Sequence, residues 1–421
     1  MISCNLRLPL QSSVFMAIAI GLPVNAAEFS IEIDSALSNN ATQVNEGTIT
    51  ERQDKLSLSA AHAFENSDQL LELSYGLTYF NYAKSSQDND TKLTGTLDYN
   101  YNFSPLTQFQ LSHISSLSLI DPAAPSSPGN SATTHHLTTA LSKDIRLTSI
   151  DSLNFTPRVS LNRNEDRAEL DSEELGIDLS ALRLLSPLNR ASLNASFSRT
   201  EYESVPSTDR ASWGIAFSRE LRSVSYFIEG GYMYSDAGSK DSIETPTFEL
   251  GLNFTGGHNE LQFSASRQVT DTTSASADPD ALLDNFSNRS LVEEFIQERY
   301  RISYLYTGLC GLCTNNTTVA FFTERYENSQ LDSDTLSLLH TFSYRLSSRK
   351  TASFRLGYSE YKTPDSQATS WEEVKTDLSL SSQLTRHFSL SVYSSYQDRN
   401  AFLPSNSFEE FKVGIRAKRE F

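Results

Sequence analysis

The sequence predicts an all-β chain, a transmembrane up-and-down antiparallel β-barrel of about 20 strands. Three observations lead to this prediction. Apolar and polar residues alternate with period two along most of the chain, short turns alternate with long polar connections, and the alternation continues to the last residue in EEFKVGIRAKREF, 409–421. The three-and-four apolar spacing of helices is confined to a turn or two, around DALLDNF and SLVEEFIQ.

The overall charge restricts the classes of partner. The chain of 421 residues carries a formal net charge of −18. Nucleic acid is excluded as a partner because phosphate binding needs a basic surface. Steering toward an anionic membrane surface is disfavoured for the same reason. No mature segment approaches the ~20 apolar residues of a membrane-spanning helix, whereas the strands of a membrane barrel need to be only half apolar.

The first 26 residues have the features of a signal peptide. Arg7 supplies the positive charge, SSVFMAIAIGL the apolar segment, and VNA before Ala27 the small residues of a cleavage site. The apolar segment is too short to anchor the chain in a bilayer. We therefore expect residues 1–26 to be removed on export, leaving 27–421 as a single barrel domain.

The strands follow from the alternation. In TKLTGTLDYNYNF, for example, Leu93, Leu97 and Tyr99 fall on one face and Asp98 and Asn100 on the other. A merged pair would reduce the number of strands to 18. The predicted strand cores are 28–38, 52–64, 67–82, 90–103, 107–120, 132–146, 152–164, 170–184, 188–204, 209–221, 223–236, 242–255, 259–270, 294–307, 316–328, 331–346, 350–362, 370–384, 387–398 and 405–421.

The connections between these strands are of two kinds that alternate. Short ones, such as those in NFSPLTQF and RLLSPLNRAS, hold the Pro, Asn and Ser of tight turns. Long ones are polar and acidic, which is the asymmetry of outer-membrane barrels with brief periplasmic turns and extended external loops. Closure satisfies every backbone amide in hydrocarbon. A soluble secreted sandwich, with its apolar parity in a core, is the alternative fold.

The end of the chain resembles a known signal. Val413, Ile415, Ala417 and Phe421 form an apolar stripe that ends on an aromatic residue, and Arg419 departs from it. This stripe resembles the C-terminal signal of Gram-negative outer-membrane barrels. Together with the strand meander, the sequence looks like the β-barrel porins associated with exopolysaccharide gene clusters. The resemblance implies an outer-membrane location, recognition by the barrel assembly machinery, and contact with outer-membrane lipid and lipopolysaccharide.

Two cysteines remain in the mature chain, Cys310 and Cys313, in the turn TGLCGLCTN. A redox motif would need a helix N-terminus to lower the thiol pKa, and none is indicated here. Two cysteines with no histidine pair nearby in sequence make a poor zinc site. We expect a small structural disulfide in an oxidising compartment.

The lumen of such a barrel, roughly 40 Å across at the backbone, has two sets of candidate charges. The long connection 271–293 could fold inward and narrow the passage with carboxylates, or form a solvated surface. The wall charges could tune selectivity or form cross-strand ion pairs. The candidate constriction comprises Asp278, Asp280, Asp284, Glu293 and Glu294. The candidate lumen charges are Arg299, Arg301, Arg355, Lys375 and Asp377.

These features predict a passive, porin-like channel for polar or charged solutes. A link to exopolysaccharide export is a hypothesis from the resemblance, with envelope polysaccharide export components as partners. The alternative is a non-conducting structural or docking barrel of an envelope export system. Seven histidines are scattered along the chain, so we expect no Ser–His–acid catalysis, no cofactor and no metal site.

Overall fold

A computed structural model describes residues 27–421, apart from 122–123, 126, 166, 239–241, 274–291, 327–331 and 365–368. Twenty β-strands run through the described residues, joined by turns and short 3-10 segments. The strands are β1 Glu28–Ser38, β2 Glu51–Glu65, β3 Gln69–Tyr82, β4 Asp90–Ser104, β5 Thr107–Leu119, β6 Ser131–Arg146, β7 Asp151–Asn164, β8 Ser172–Ser186, β9 Asn189–Tyr202, β10 Thr208–Glu220, β11 Val224–Asp236, β12 Ile243–Gly256, β13 Asn259–Asp271, β14 Glu294–Tyr306, β15 Cys313–Tyr326, β16 Ser333–Ser347, β17 Lys350–Lys362, β18 Trp371–Thr385, β19 Phe388–Ala401 and β20 Phe408–Glu420.

The strands form one closed sheet. Each pairs antiparallel with its neighbours in sequence, and β1 pairs with β20 from Ser30 opposite Glu420 to Ser38 opposite Lys412. Closure leaves no free edge, so every strand finds backbone partners on both sides. The predicted fold class and the 20 strands are confirmed. The predicted boundaries differ most at the start of β15 and at the two strand ends beside 402–407.

The two ends of the barrel differ. One end, which we call the turn end, carries short connections such as 105–106 and 187–188, together with both ends of the described chain. The other, which we call the loop end, carries the long connections, from 203–207 to 272–293. Two SPL sequences fall in turn-end connections, where a Ser hydroxyl accepts a backbone N–H. Ser104 and Ser186 accept from Leu106 and Leu188 at 3.2 and 3.3 Å.

The side chains are packed inside out compared with a soluble protein. The outward parity is apolar and exposed, with Leu175 64% and Trp213 61% accessible, whereas inward Thr200 and Thr208 are 1% and 2% accessible. Exposing so many large apolar side chains to water would be costly, so this surface suits acyl chains. None of the described residues belongs to a helix long and apolar enough to cross a bilayer.

The outward surface turns polar near the loop end. There, neighbouring strands carry outward-facing ion pairs above the apolar band. These pairs suit a level outside hydrocarbon, because a charge at mid-depth would cost roughly 2–4 kcal/mol. They include Arg163–Glu173 at 2.5 Å, Arg199–Asp209 at 3.6 Å and Arg325–Asp334 at 2.5 Å.

The last strand has the alternation that the sequence predicts. Val413, Ile415 and Ala417 face outward, opposite Leu37, Ser35 and Ile33 of β1. The Phe421 N–H donates to the Phe29 carbonyl at 2.9 Å, so the terminal residue extends the seam. The guanidinium carbon of Arg419 lies 4.8 Å from the centre of the Phe421 ring. This cation–π contact shows how the departure from the apolar stripe is accommodated.

Candidate functional site in the barrel lumen

One hairpin leaves the wall at the loop end. The β12–β13 ladder stops where Phe248 pairs with Arg267, although β11 continues along β12 to Ile243 and β13 continues along β14 to Glu294. Pro246, which lacks an N–H, lies in the part of β12 that has no partner on β13. The tip of the β13–β14 hairpin is therefore free to turn inward.

An arginine on a distant strand holds this hairpin inside the barrel. Arg210 on β10 donates from Nη2 to Asp271 Oδ2 at 2.8 Å and from Nε to Glu294 Oε1 at 2.9 Å. Ser235 Oγ donates to the same Glu294 oxygen at 2.5 Å. The Asp271 side chain has no accessible surface, and the side chains of Arg210 and Glu294 are about nine-tenths buried. We call Arg210, Ser235, Asp271 and Glu294 the Arg210 latch.

The base of the long connection also lies inside. Thr272 and Thr273 are each 1% accessible, and Thr273 Oγ1 hydrogen-bonds Ser172 Oγ on β8 at 3.1 Å. Two residues of the predicted constriction are described. The Glu293 carbonyl accepts a hydrogen bond from the Thr272 N–H at 3.1 Å, and Glu294 belongs to the latch. Asp278, Asp280 and Asp284 lie outside the described residues. Glu294 shares the Arg210 guanidinium with Asp271, so two carboxylates face one positive charge within the latch.

Three further loops enter the lumen on the opposite side. The Arg399 guanidinium on β19 donates to the Ala124 carbonyl, in connection 120–130, at 2.6 Å. Gln43 Nε2, in connection 39–50, donates to Glu410 Oε2 at 3.0 Å. Gln87 Nε2, in connection 83–89, donates to the Ala41 carbonyl at 3.0 Å. The loop-end half of the lumen is therefore narrowed from both sides by chain segments.

The predicted wall charges lie on the inward parity of their strands. Arg355 on β17 faces Asp377 on β18 directly across the ladder, and Lys375 lies opposite Gly357. Arg299 and Arg301 follow one another on the inward face of β14. The Arg299 guanidinium carbon is 6.0 Å from the centre of the Phe322 ring.

Acidic side chains concentrate on another arc of the wall. On β7 and β8, Arg158 Nε donates to Asp178 Oδ2 at 3.0 Å. On β11 and β12, Glu229 and Glu249 stand directly opposite each other, and Asn194 Nδ2 donates to Glu229 at 3.1 Å. Like charges facing each other across a ladder destabilise the sheet. This arrangement makes β11–β12 a strongly negative stretch of the lumen.

A basic cavity of about 290 Å³ lies at the loop end, beneath connections 39–50, 83–89 and 120–130. Of its cations, Lys375 is one of the lumen charges predicted from the sequence, and the alternation in EEFKVGIRAKREF places Lys412 on the same inward parity. The other three were missed, although Lys55 and Lys92 occupy inward positions of alternating strands. Its cationic lining residues are Lys55, Lys92, Lys375, Arg399 and Lys412. A larger cavity of about 640 Å³, lined by Arg190 and Arg301 among others, lies at the turn end.

The cysteines lie away from the lumen constriction. Cys310 and Cys313 are joined by a disulfide with their Cα atoms 5.1 Å apart, in the turn between β14 and β15. The Cys313 N–H donates to the Cys310 carbonyl at 3.1 Å. The pair closes a small loop at the turn end. Within the described ranges, no group of three or more His, Cys, Asp or Glu side chains could hold a metal ion.

Comparisons with solved structures show a likeness of fold. A mutant of the ferric enterobactin receptor PfeA of Pseudomonas aeruginosa aligns over 94% of this chain and 80% of its own, at 9% identity and a TM-score of 0.52. The siderophore receptor PirA of Acinetobacter baumannii aligns over 94% and 80%, at 8% identity and 0.51. The outer membrane protein OpdK of Pseudomonas aeruginosa aligns over 94% and 99%, at 8% identity and 0.41.

Searches with family models and of curated proteins find no match. The likeness is therefore one of architecture. The chain has the closed antiparallel barrel fold of outer-membrane proteins.

Proposed function

We propose that this protein is an outer-membrane channel through which small polar or charged solutes diffuse passively. The observation that carries the proposal is the inverted wall, with an apolar outside and an enclosed interior lined by hydroxyl, amide and charged side chains. An unplugged barrel of this strand number encloses a water-filled passage. Selectivity then follows from the charge and width of the narrowest part.

The narrow part in this proposal is the loop-end half of the lumen. The Arg210 latch holds the β13–β14 hairpin on one side, and Arg399, Gln43 and Gln87 hold other loops on the opposite side. A solute would enter between these two groups and leave through the wider turn end. The acidic β11–β12 arc and the basic cavity lie on different arcs of the wall. A passing solute would therefore experience an electric field directed across the passage.

Planar-bilayer recordings of the purified protein test the proposal. Stepwise conductance that varies with salt concentration is the expected result. Silence in bilayers, with a correctly folded barrel, would contradict it. That result would support the alternative of a non-conducting structural or docking barrel, which the packed loop-end contacts favour.

The link to exopolysaccharide export is a finer proposal, supported by the resemblance described above. Deleting the gene should lower the amount of extracellular polysaccharide without changing its intracellular synthesis. Unchanged secretion would contradict the link and leave the channel proposal intact. Outer-membrane targeting by a signal peptide is a related proposal, checked by sequencing the mature N-terminus, which we expect at Ala27.

A further inference from the structure

We propose that the basic cavity binds a small hydroxylated dicarboxylate on its way through the lumen. The inference rests on the proposed channel function, because it names the class of solute that the passage selects. Three properties of the cavity carry it: its surplus of positive charge, its buried amide oxygens that lack donors, and its size.

The positive charge exceeds what the protein neutralises. Three of the five cations have a carboxylate partner. Lys92 pairs with Asp90 at 2.8 Å, Lys412 with Glu410 at 3.0 Å, and Arg399 with Glu373 at 3.6 Å.

The remaining two cations are Lys55 and Lys375. Neither has a described carboxylate oxygen within 4.0 Å of its ammonium nitrogen. The positive charges of Lys412, Lys375 and Arg416 act on Lys55 against the negative charge of Asp34, which is itself ion-paired to Arg416 at 2.7 Å. Glu373 is the single carboxylate residue among those that line the cavity. In a chain with a net charge of −18, a local surplus of about two positive charges calls for a dianion.

The neutral polar groups of the cavity require hydrogen-bond donors. Gln43 and Gln87 each use their amide nitrogen within the protein, on Glu410 and on the Ala41 carbonyl. Their Oε1 atoms are buried and have no partner in the described structure, and the Gln43 side chain belongs to a residue that is only 7% accessible. A buried acceptor without a donor costs free energy. Hydroxyl groups on the ligand would satisfy these two oxygens, which carboxylates alone cannot do.

The size and walls of the cavity limit the ligand. A volume of about 290 Å³ lies at the lower end of the range for small-molecule sites. Phe80 forms part of the wall, with the Lys55 ammonium 5.2 Å from the centre of its ring. This contact places one cation beside an apolar surface, where its attraction for a carboxylate is less screened than in water. A compact chain of a few carbons, with a carboxylate at each end and hydroxyls between, fits these demands.

Tartrate, succinate and erythritol are matched probes for this chemistry. Tartrate has two carboxylates and two hydroxyls, succinate lacks the hydroxyls, and erythritol lacks the charges. We expect titration calorimetry in detergent to give an affinity order of tartrate, then succinate, with erythritol undetectable. In bilayers, tartrate should reduce the single-channel current at concentrations at which erythritol does not.

Two variants and one control assign the binding to the cavity. The Lys55→Gln/Lys375→Gln double variant should weaken tartrate binding roughly tenfold or more, because each lost charged hydrogen bond is worth about 1.5–3 kcal/mol. The Gln87→Met variant should remove most of the preference for tartrate over succinate. The Arg190→Gln variant removes a charge at the turn-end cavity instead, and its affinity for tartrate should be unchanged.

The outcomes separate the two proposals. Conductance without a preference for tartrate over erythritol overturns the solute assignment and leaves the channel standing. Tartrate binding by a barrel that shows no conductance overturns the channel proposal and supports the cavity as a binding site. If the double variant fails to fold, the Gln87→Met variant and the wild-type order of the three probes still decide, and equal affinities for all three probes would refute the assignment.

Discussion

Arg210 makes the charged contacts that join the β13–β14 hairpin to the inner wall of the barrel. Replacing it with Ala would leave the Asp271 and Glu294 carboxylates buried without their partner, a change that costs about 3–5 kcal/mol in such pairs. We expect the hairpin to swing out, single-channel conductance to rise and proteolysis within 272–293 to accelerate.

The Arg199→Ala variant is the control for this prediction. It removes outward ion pairs with Glu201 and Asp209, whose side chains are 71% and 63% exposed, and such pairs contribute about 0–1 kcal/mol. Its conductance and protease sensitivity should match the wild type. An Arg210→Ala protein with wild-type conductance and cleavage would show that the latch does not hold the hairpin.

Gly95 on β4 is a site where a side chain cannot be added without displacement. A Cβ there would lie 2.2 Å from the Ser74 carbonyl oxygen and 2.6 Å from the Tyr75 ring, and φ is +155°. We expect Gly95→Ala to destabilise the barrel by about 1–3 kcal/mol, measured by urea unfolding in detergent. Gly230→Ala, where nothing lies within 4 Å, should change stability by less than about 0.5 kcal/mol. Equal effects of the two substitutions would contradict this account.

At the level of single residues, the alternation predicts the face on which a side chain lies but not its partner. Arg299, Arg355 and Asp377 could be placed on the inward parity because each lies in an unbroken strand. The ion pair of Glu294 with Arg210 could not be foreseen. The two residues lie on β14 and β10, and they meet only because the ladder opens between β12 and β13.

Among the described elements, the turn between β14 and β15 is closed by a disulfide. The loop between Cys310 and Cys313 is short, so by the chain-entropy estimate the bond contributes about 2 kcal/mol. We expect Cys310→Ser/Cys313→Ser to form a barrel with unchanged conductance and a lower thermal midpoint, measured by heat-dependent gel mobility. A loss of conductance in the folded variant would instead give the pair a functional role.

The end of the last strand has a structural role and a predicted role in assembly. Phe421 both extends the β1–β20 seam and resembles the recognition residue of outer-membrane barrels. Deleting Phe421 should lower the amount of folded barrel in the outer-membrane fraction several-fold, because both the recognition residue and one seam hydrogen bond are lost. The control is Phe402→Ala, which removes an equally exposed aromatic ring from connection 402–407 and should leave assembly unchanged. Equal yields of the deletion and control proteins would argue against a terminal signal.

Strands are predictable from this sequence, and the paths of its loops are not. The ends of β1 and β17 agree with the alternation to the residue, because period two is a local property. The inward course of connection 120–130 depends on a hydrogen bond between Arg399 and Ala124, which are 275 positions apart. No local pattern encodes such a contact, so the constriction could be anticipated only for the longest connection.

For the whole molecule, the separation of charge around the lumen should determine ion preference. Glu229 and Glu249 face each other on β11–β12, on the wall that the proposed pathway passes. We expect Glu229→Gln/Glu249→Gln to shift the reversal potential in a salt gradient toward anions, since two negative charges leave the lumen.

The control for ion preference is Glu173→Gln/Glu201→Gln. It removes the same charge from outward positions that are 61% and 71% exposed, where it should leave the reversal potential unchanged. Equal shifts in both double variants would mean that surface charge, rather than the lumen arc, controls permeation.

The closed barrel is predictable from the sequence because the alternation, the turn asymmetry and the terminal strand all require the same architecture. The basic cavity is not predictable in this way. Its lysines come from two groups of strands, β2 with β4 and β18 with β20, which lie near opposite ends of the chain and are brought together by the β1–β20 seam.

The seam between β1 and β20 has a consequence for biogenesis. A partly inserted ribbon, with its first and last strands still apart, has Lys55 on one margin and Lys375 and Lys412 on the other. These lysines would therefore come together to bind an anion only after the barrel has closed, and a partly assembled intermediate would not bind the solute.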